Sequence, residues 1–140
     1  MLQLISGKKG SGKTKKLISM VNEAAETSGG KVVCIEKGSK LTYDIAHNVR
    51  LFNTEDYQVS GFDTFYGFLA GIAASDYDVT DIFVDSVAKI TGDDMKKAQG
   101  FFDKANSIGM GNGFHIVMTF SHDANELPDG IRKYVAVKLG

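Results

Sequence analysis

Apolar residues along the 140-residue chain form two kinds of pattern, which are short continuous runs and recurrence at helical spacing. Between the strand-like runs, they recur at helical spacing in residues 13–28, from Asp63 onward, from Thr91 to about Ile108 and near 126–132. Asp63 is predicted to cap its helix, and the glycines of 109–113 are predicted to end the third. Short apolar runs predict five buried strands, at 2–6, 31–36, 81–85, 114–120 and 134–139.

Alternation of strands and helices predicts an α/β fold with right-handed connections and a mainly parallel sheet. Residues 37–62 give a weaker pattern, with one candidate edge strand at 49–53. We therefore expect five sheet strands in a three-layer α/β sandwich.

Composition narrows the class of protein. Hydrophobic residues make up 43% and charged residues 24%, which is typical of one globular domain, here residues 1–140. A net charge of -1 gives no general attraction to nucleic acid, so a nucleic-acid partner is not indicated. No apolar run is long enough to span a membrane, no secretory signal is recognised, and Cys34 is the single cysteine. A cytoplasmic protein is expected.

One motif indicates specific chemistry. Residues 7–14 read Gly-Lys-Lys-Gly-Ser-Gly-Lys-Thr and fit the phosphate-loop pattern G-x-x-x-x-G-K-[ST], between a predicted strand and a predicted helix. Its glycines let backbone N–H groups surround an anion at the positive end of the helix. The alternative is a glycine-rich turn with solvated lysines. The predicted nucleotide-binding residues are Gly7, Lys8, Lys9, Gly10, Ser11, Gly12, Lys13 and Thr14.

Two residues of this motif and one later carboxylate account for the predicted binding chemistry. Lys13 is expected to reach the β- and γ-phosphates, and the Thr14 hydroxyl to bind Mg²⁺. The apolar run Ile82-Phe83-Val84 delivers Asp85 to the carboxyl end of its strand, where it would hold Mg²⁺ through water. The alternative for Asp85 is a capping residue on an ordinary core strand. The sequence thus predicts ATP and Mg²⁺ as ligands.

The motifs resemble those of RecA-like (ASCE) P-loop ATPases. Phe83–Thr91 is similar to the V-V-D-S-x-A-A-L-T stretch of RecA, residues 31–36 resemble the second strand, and 116–121 resemble the strand whose polar tip senses the γ-phosphate. The resemblance implies a sheet order of 5-1-4-3-2 with the nucleotide at the carboxyl ends of the strands. The chain also resembles short bacterial P-loop proteins labelled as twitching-motility (PilT-type) ATPases.

Neighbouring lysines extend the positive charge of the loop. Lys8, Lys9, Lys15 and Lys16 provide a general attraction for phosphate. Lys8 also resembles the extra lysine of ParA/MinD-type ATPases, whose loop reads K-G-G-x-G-K-T, although Lys9 replaces one of those glycines. Nucleic-acid contact is a third interpretation.

Catalytic residues are less clear than binding residues. In RecA-like enzymes a glutamate near the end of the second strand polarises water, which makes Glu36 the nearest candidate and a capping carboxylate its alternative. Ser121 follows the fourth predicted strand and is a candidate for facing the γ-phosphate, as are His122 and Asp123. Arg50 and Arg132 are the only arginines, and either is a candidate arginine finger. Hydrolysis is therefore expected to be weak or to depend on a partner.

Three functions stay open. The first is Mg²⁺-ATP binding with RecA-like ATPase activity in a homo-oligomer or with an activating protein. The second is a non-catalytic module in which the nucleotide selects a conformation. The third is a small-molecule kinase, which two arginines disfavour because such enzymes clamp phosphates with several. GTP is disfavoured because no N-K-x-D motif occurs. Clustered aromatic residues at 52–68 are interpreted mainly as core.

Overall fold

A single sheet of six parallel strands lies at the centre of the computed structural model, which describes residues 1–140. The sheet order is β3-β2-β4-β5-β1-β6, and every neighbouring pair is parallel. The strands are β1 (Leu2–Ser6), β2 (Lys31–Glu36), β3 (Arg50–Asn53), β4 (Val79–Val84), β5 (His115–Phe120) and β6 (Val135–Lys138).

The order of the five predicted strands is confirmed, but their number is wrong. The strand in addition to the five expected ones is β3, which pairs only with β2 at one edge of the sheet. None of its four residues is fully buried. A short, half-buried edge strand lacks the continuous apolar run of a central parallel strand, which explains its weak sequence pattern.

Helices cover both faces of the sheet, which gives three layers. Helix α1 and the segment that follows β2 enclose a core of 10 buried residues on one face, and α2, α3 and α4 enclose 22 on the other. Alternate residues of β2 serve the two cores, with Val33 and Ile35 on one side and Val32 and Cys34 on the other. The helices are α1 (Lys13–Thr27), α2 (Phe62–Ser75), α3 (Val87–Thr91), α4 (Met95–Asn112) and α5 (Asp129–Arg132).

Three predicted helix boundaries are wrong. Gly61 occupies the N-cap position of α2, while Asp63 lies inside its first turn. The helix predicted from Thr91 begins instead at Met95, because Gly92 ends the preceding helix α3 with a φ of 88° and Asp94 caps α4 by accepting the N–H of Lys97. Helix α4 continues to Asn112, and Gly113 is the residue that ends it.

Short 3-10 turns, Thr54–Tyr57 and Ala124–Glu126, complete the regular structure. None of the helices combines the length and apolar character that crossing a membrane requires. Because all strands are parallel, the segments that follow β1, β2, β4 and β5 emerge at the same edge of the sheet. Residues 7–14, Glu36, Asp85 and Ser121 all lie in or next to these segments.

Candidate functional site

The loop between β1 and α1 has the backbone shape that its glycines permit. Gly10 and Gly12 have φ values of 84° and 92°, which other residues rarely adopt. A Cβ on Gly7 would collide with the Ser11 hydroxyl and lie 2.8 Å from the Leu139 carbonyl oxygen. No side chain caps α1, so its first N–H groups keep their capacity to bind an anion.

Lys13 lies against the inside of this loop. Its side chain is buried, and the Nζ atom donates to the Lys8 carbonyl oxygen at 2.9 Å and lies 3.4 Å from the Ser11 Oγ atom. Burial lowers the pKa of Lys13, and the nearby Asp85 carboxylate acts in the opposite direction. A cation is thus held beside the orphan N–H groups of α1.

Asp85 receives hydrogen bonds from side chains of two other elements. Thr14 Oγ1 donates to its carboxylate oxygens at 3.0 and 3.1 Å, and Thr119 Oγ1 donates at 2.9 Å. The Ser86 N–H in turn donates to Thr119 Oγ1 at 2.6 Å. Ser86 adopts a left-handed φ of 54°, which carries the chain from β4 into α3. These contacts join the ends of β4 and β5 to the start of α1.

The oxygen atoms of Thr14 and Asp85 fit a magnesium ion. Mg²⁺ prefers hard oxygen ligands and in nucleotide sites uses one or two carboxylates together with phosphates and water. The chain contains no group of three or more His, Cys, Asp or Glu side chains placed to hold a metal. Magnesium at Thr14 and Asp85 would therefore complete its coordination shell with phosphate oxygens and water.

Glu36, by contrast, holds the backbone of the segment that follows β2. Its two carboxylate oxygens accept the N–H groups of Lys40 at 3.1 Å and Leu41 at 2.9 Å, and the side chain is only 4% exposed. Burial raises the pKa of Glu36; the two backbone hydrogen bonds oppose this shift, and Asp85 adds to it. These contacts fit the capping alternative, and the catalytic role of Glu36 stays a prediction.

A cavity of about 600 Å³ opens beside the loop, within the usual size range of small-molecule sites. Ser121 lines it, and its role toward a γ-phosphate stays a prediction, whereas Gly7, Lys8 and Ser11 do not line the cavity. One wall consists of loop and α1 residues: Lys9, Gly10, Gly12, Lys13, Thr14 and Lys15. The other lining residues are Ser86, Ala88, Lys89 and Ser121, and we call them the opposite wall because α1 and α3 pack on opposite faces of the sheet.

The other polar candidates make contacts elsewhere. His122 pairs with Asp93 at 2.8 Å, and the Asp123 side chain caps the turn at 124–126. Arg132 donates to the carbonyl oxygens of Ala124 and Leu127 and pairs with Asp129, whereas Arg50 lies over the ring of Phe52. None of these four side chains lines the cavity.

Most of the clustered aromatic residues belong to the core, as predicted. Phe65 is fully buried, and Tyr57 is half exposed at the edge of the cluster. Phe52, Phe62, Tyr66 and Phe68 are partly buried and pack against the larger core.

Two residues at the site, Thr119 and Lys89, were not predicted from the sequence. Thr119 is a buried polar residue near the end of an otherwise apolar strand, and that position was the available signal. Lys89 lies four residues after Asp85, in a short helix that sequence analysis did not predict. The pairing of β4 with β5 places Thr119 beside Asp85, and the fold of α3 places Lys89 at the cavity.

Comparisons with known proteins do not identify a family or a function for this chain. The chain matches no protein-family model and no curated protein. The roles of the site residues are therefore inferred from their contacts within this chain.

Proposed function

We propose that this protein binds Mg²⁺-ATP in the cavity beside residues 7–14, as a P-loop protein of RecA-like type whose hydrolysis is weak or depends on a partner. One observation carries the proposal. The Thr14 hydroxyl and the Asp85 carboxylate, 71 residues apart in sequence, are hydrogen-bonded immediately beside Lys13. A phosphate loop and a magnesium-binding acid need this placement.

Each element has a distinct task in this proposal. The N-terminal N–H groups of α1 and the Lys13 ammonium bind the phosphates. Thr14 and Asp85 would hold Mg²⁺, and Thr119 orients the Asp85 carboxylate through its hydrogen bond. When bound, Mg²⁺ neutralises charge on the β- and γ-phosphate oxygens.

A second candidate function is a non-catalytic module in which the nucleotide selects a conformation. The observation that favours it is the state of Glu36, whose two oxygens are already engaged by backbone N–H groups. Arg132 is likewise occupied by contacts within its own chain. Turnover would then require a group from a second copy of the chain or from an activating protein.

Thermal unfolding with Mg²⁺ and ATP, ADP or GTP tests the binding proposal. ATP at about 100 times its Kd should stabilise the wild-type protein by about 2.7 kcal/mol. Lys13→Ala should lose most of this stabilisation, because the variant lacks the buried phosphate-binding cation. Lys96→Ala removes an exposed lysine outside the cavity and should retain it.

Equal stabilisation of the Lys13→Ala variant and the wild-type protein would overturn the proposal, provided that circular dichroism shows the variant to be folded. Phosphate release from the same samples separates the two functions. Release supports the ATPase, whereas stabilisation without release supports the non-catalytic module or an absent activating partner.

A further inference from the structure

We propose that Lys89 binds the terminal phosphate of ATP and thereby makes this cavity select a nucleoside triphosphate over a diphosphate. The inference rests on the proposed function and adds to it the residue that recognises the γ-phosphate. The cation on the opposite wall of the cavity thus belongs to the same chain as the loop.

Helix α3 fixes the side of the cavity on which Lys89 lies. Val87 and Ile90 are 1% and 2% exposed, so the helix is anchored to the core through them. The Ile90 carbonyl oxygen also accepts the Gly61 N–H at 2.9 Å, which ties α3 to the start of α2. Ala88 and Lys89, between these anchors, are left to line the cavity.

The charge of Lys89 is not used within the protein. The four ion pairs of the structure involve other cations, and no hydrogen bond is formed by the Lys89 side chain. The lining of the cavity contains four lysines and no acidic residue. Three of them belong to the loop wall and Lys89 alone to the opposite wall, so an anion between the walls meets positive charge on both sides.

The position of Asp85 indicates which phosphate Lys89 meets. Asp85 and Thr14, which are hydrogen-bonded to each other, are the residues that would hold Mg²⁺ beside the phosphates of a bound nucleotide. Helix α3 begins two residues after Asp85, so Lys89 belongs to the segment that leads from the candidate metal position into the lining of the cavity. A diphosphate has no phosphoryl group at that end of the site. Contact with Lys89 consequently adds affinity for the triphosphate only.

Lys89 is a cation without a partner in the chain, whereas both arginines are engaged. Arg132 is bound to carbonyl oxygens and Asp129, and Arg50 lies over Phe52, so both guanidinium groups are engaged outside the cavity. Among the residues that line the cavity outside the loop and α1, Lys89 is thus the cation that has no partner within the chain.

Calorimetric titration of the full chain with Mg²⁺-ADP and with the non-hydrolysable β,γ-imido analogue of Mg²⁺-ATP tests this inference. Lys89→Ala should weaken binding of the analogue by about tenfold, which corresponds to about 1.4 kcal/mol, and leave ADP affinity within about twofold. Lys89→Arg should keep most of the preference, because it keeps the charge. Lys96→Ala is the matched control and should bind both ligands as the wild-type protein does.

Two results would overturn the inference while leaving nucleotide binding intact. One is an unchanged preference for the analogue in Lys89→Ala. The other is an equal loss for both ligands, which would indicate general attraction for phosphate. If the wild-type protein binds neither ligand, the proposed function itself fails, and this inference fails with it. Because Lys89 is exposed, unfolding without nucleotide should occur at the same temperature in all variants.

Discussion

Two carboxylates stand at the ends of neighbouring parallel strands, yet their surroundings differ. Glu36 ends β2 and Asp85 directly follows β4, and the Asp85 N–H donates to the Ile35 carbonyl oxygen at 2.9 Å. Glu36 accepts only backbone N–H groups at its carboxylate, whereas Asp85 accepts only side-chain hydroxyls.

Because of this difference, Glu36 has a structural role in the segment after β2, whereas the Asp85 carboxylate can exchange its partners for a ligand. Backbone N–H groups are fixed by the path of the chain and cannot turn away without unfolding the segment. Hydroxyl groups rotate and can present a lone pair to a cation instead of a proton to a carboxylate. Asp85 and Thr14 can therefore exchange their mutual hydrogen bond for a shared Mg²⁺, while Glu36 is committed to Lys40 and Leu41.

The largest expected effect concerns Asp85→Asn, which keeps the shape of the side chain and removes its charge. We expect the gain in ATP affinity that Mg²⁺ gives over EDTA to fall on the order of 100-fold. This is the upper end of the losses found when residues that support a metal are changed. Titration with ATP in Mg²⁺ and in EDTA measures this gain. Affinity in EDTA should change little, because the phosphate loop is intact. Unchanged affinity in Mg²⁺ would remove Asp85 from the metal site.

The place of the glycine-rich loop between β1 and α1 and of Asp85 at a strand end could be predicted from sequence because both are encoded locally, whereas their roles in nucleotide and Mg²⁺ binding stay predictions. Glycines at fixed spacing determine the backbone of residues 7–14, and the apolar run before Asp85 places it at a strand end. The contacts of Thr119 and Lys89 are set by strand pairing and by α3, between residues distant in sequence. Only the three-dimensional fold brings Thr119 to Asp85 and Lys89 to the cavity.

The fold shows the same division between local and distant determinants. Strands with a neighbour on each side, such as β2, are buried on both faces and have a continuous apolar pattern through their middle, whereas the edge strand β3 does not. Gly109 was expected to help end a helix, but it lies inside α4 at a close contact. A Cβ there would approach the Met1 nitrogen and the Phe114 carbonyl oxygen at 3.0 Å. A glycine required by close packing cannot be distinguished from a helix end by sequence alone.

Glu36→Ala should give the next largest effect, on stability instead of binding. The variant leaves the N–H groups of Lys40 and Leu41 without their acceptor, and we expect the free energy of unfolding to fall by about 2 kcal/mol. Urea unfolding measures this change. Glu26→Ala, at an exposed position of α1, is the control and should change stability by less than about 0.5 kcal/mol. A fully stable Glu36→Ala variant would contradict the structural role.

Glu36→Gln should give the smallest effect and the most specific one, a change in pH dependence. Glutamine keeps one acceptor oxygen, so we expect a loss of about 1 kcal/mol. The folded protein raises the pKa of Glu36 above its ordinary value of 4.5 and so holds this proton more tightly than the unfolded chain.

Protonation of Glu36 therefore adds stability that is fully present below pH 4.5 and is lost as the pH rises through the folded-state pKa. Glutamine does not titrate, so the stability advantage of the wild-type protein over Glu36→Gln should decrease as the pH is raised across this range. Urea unfolding of both proteins at a series of pH values measures the difference, and other titrating groups cancel in it. An advantage that grows with pH would mean that the backbone hydrogen bonds outweigh burial. Glu36 would then resemble an ordinary paired carboxylate, and its contrast with Asp85 would rest on geometry alone.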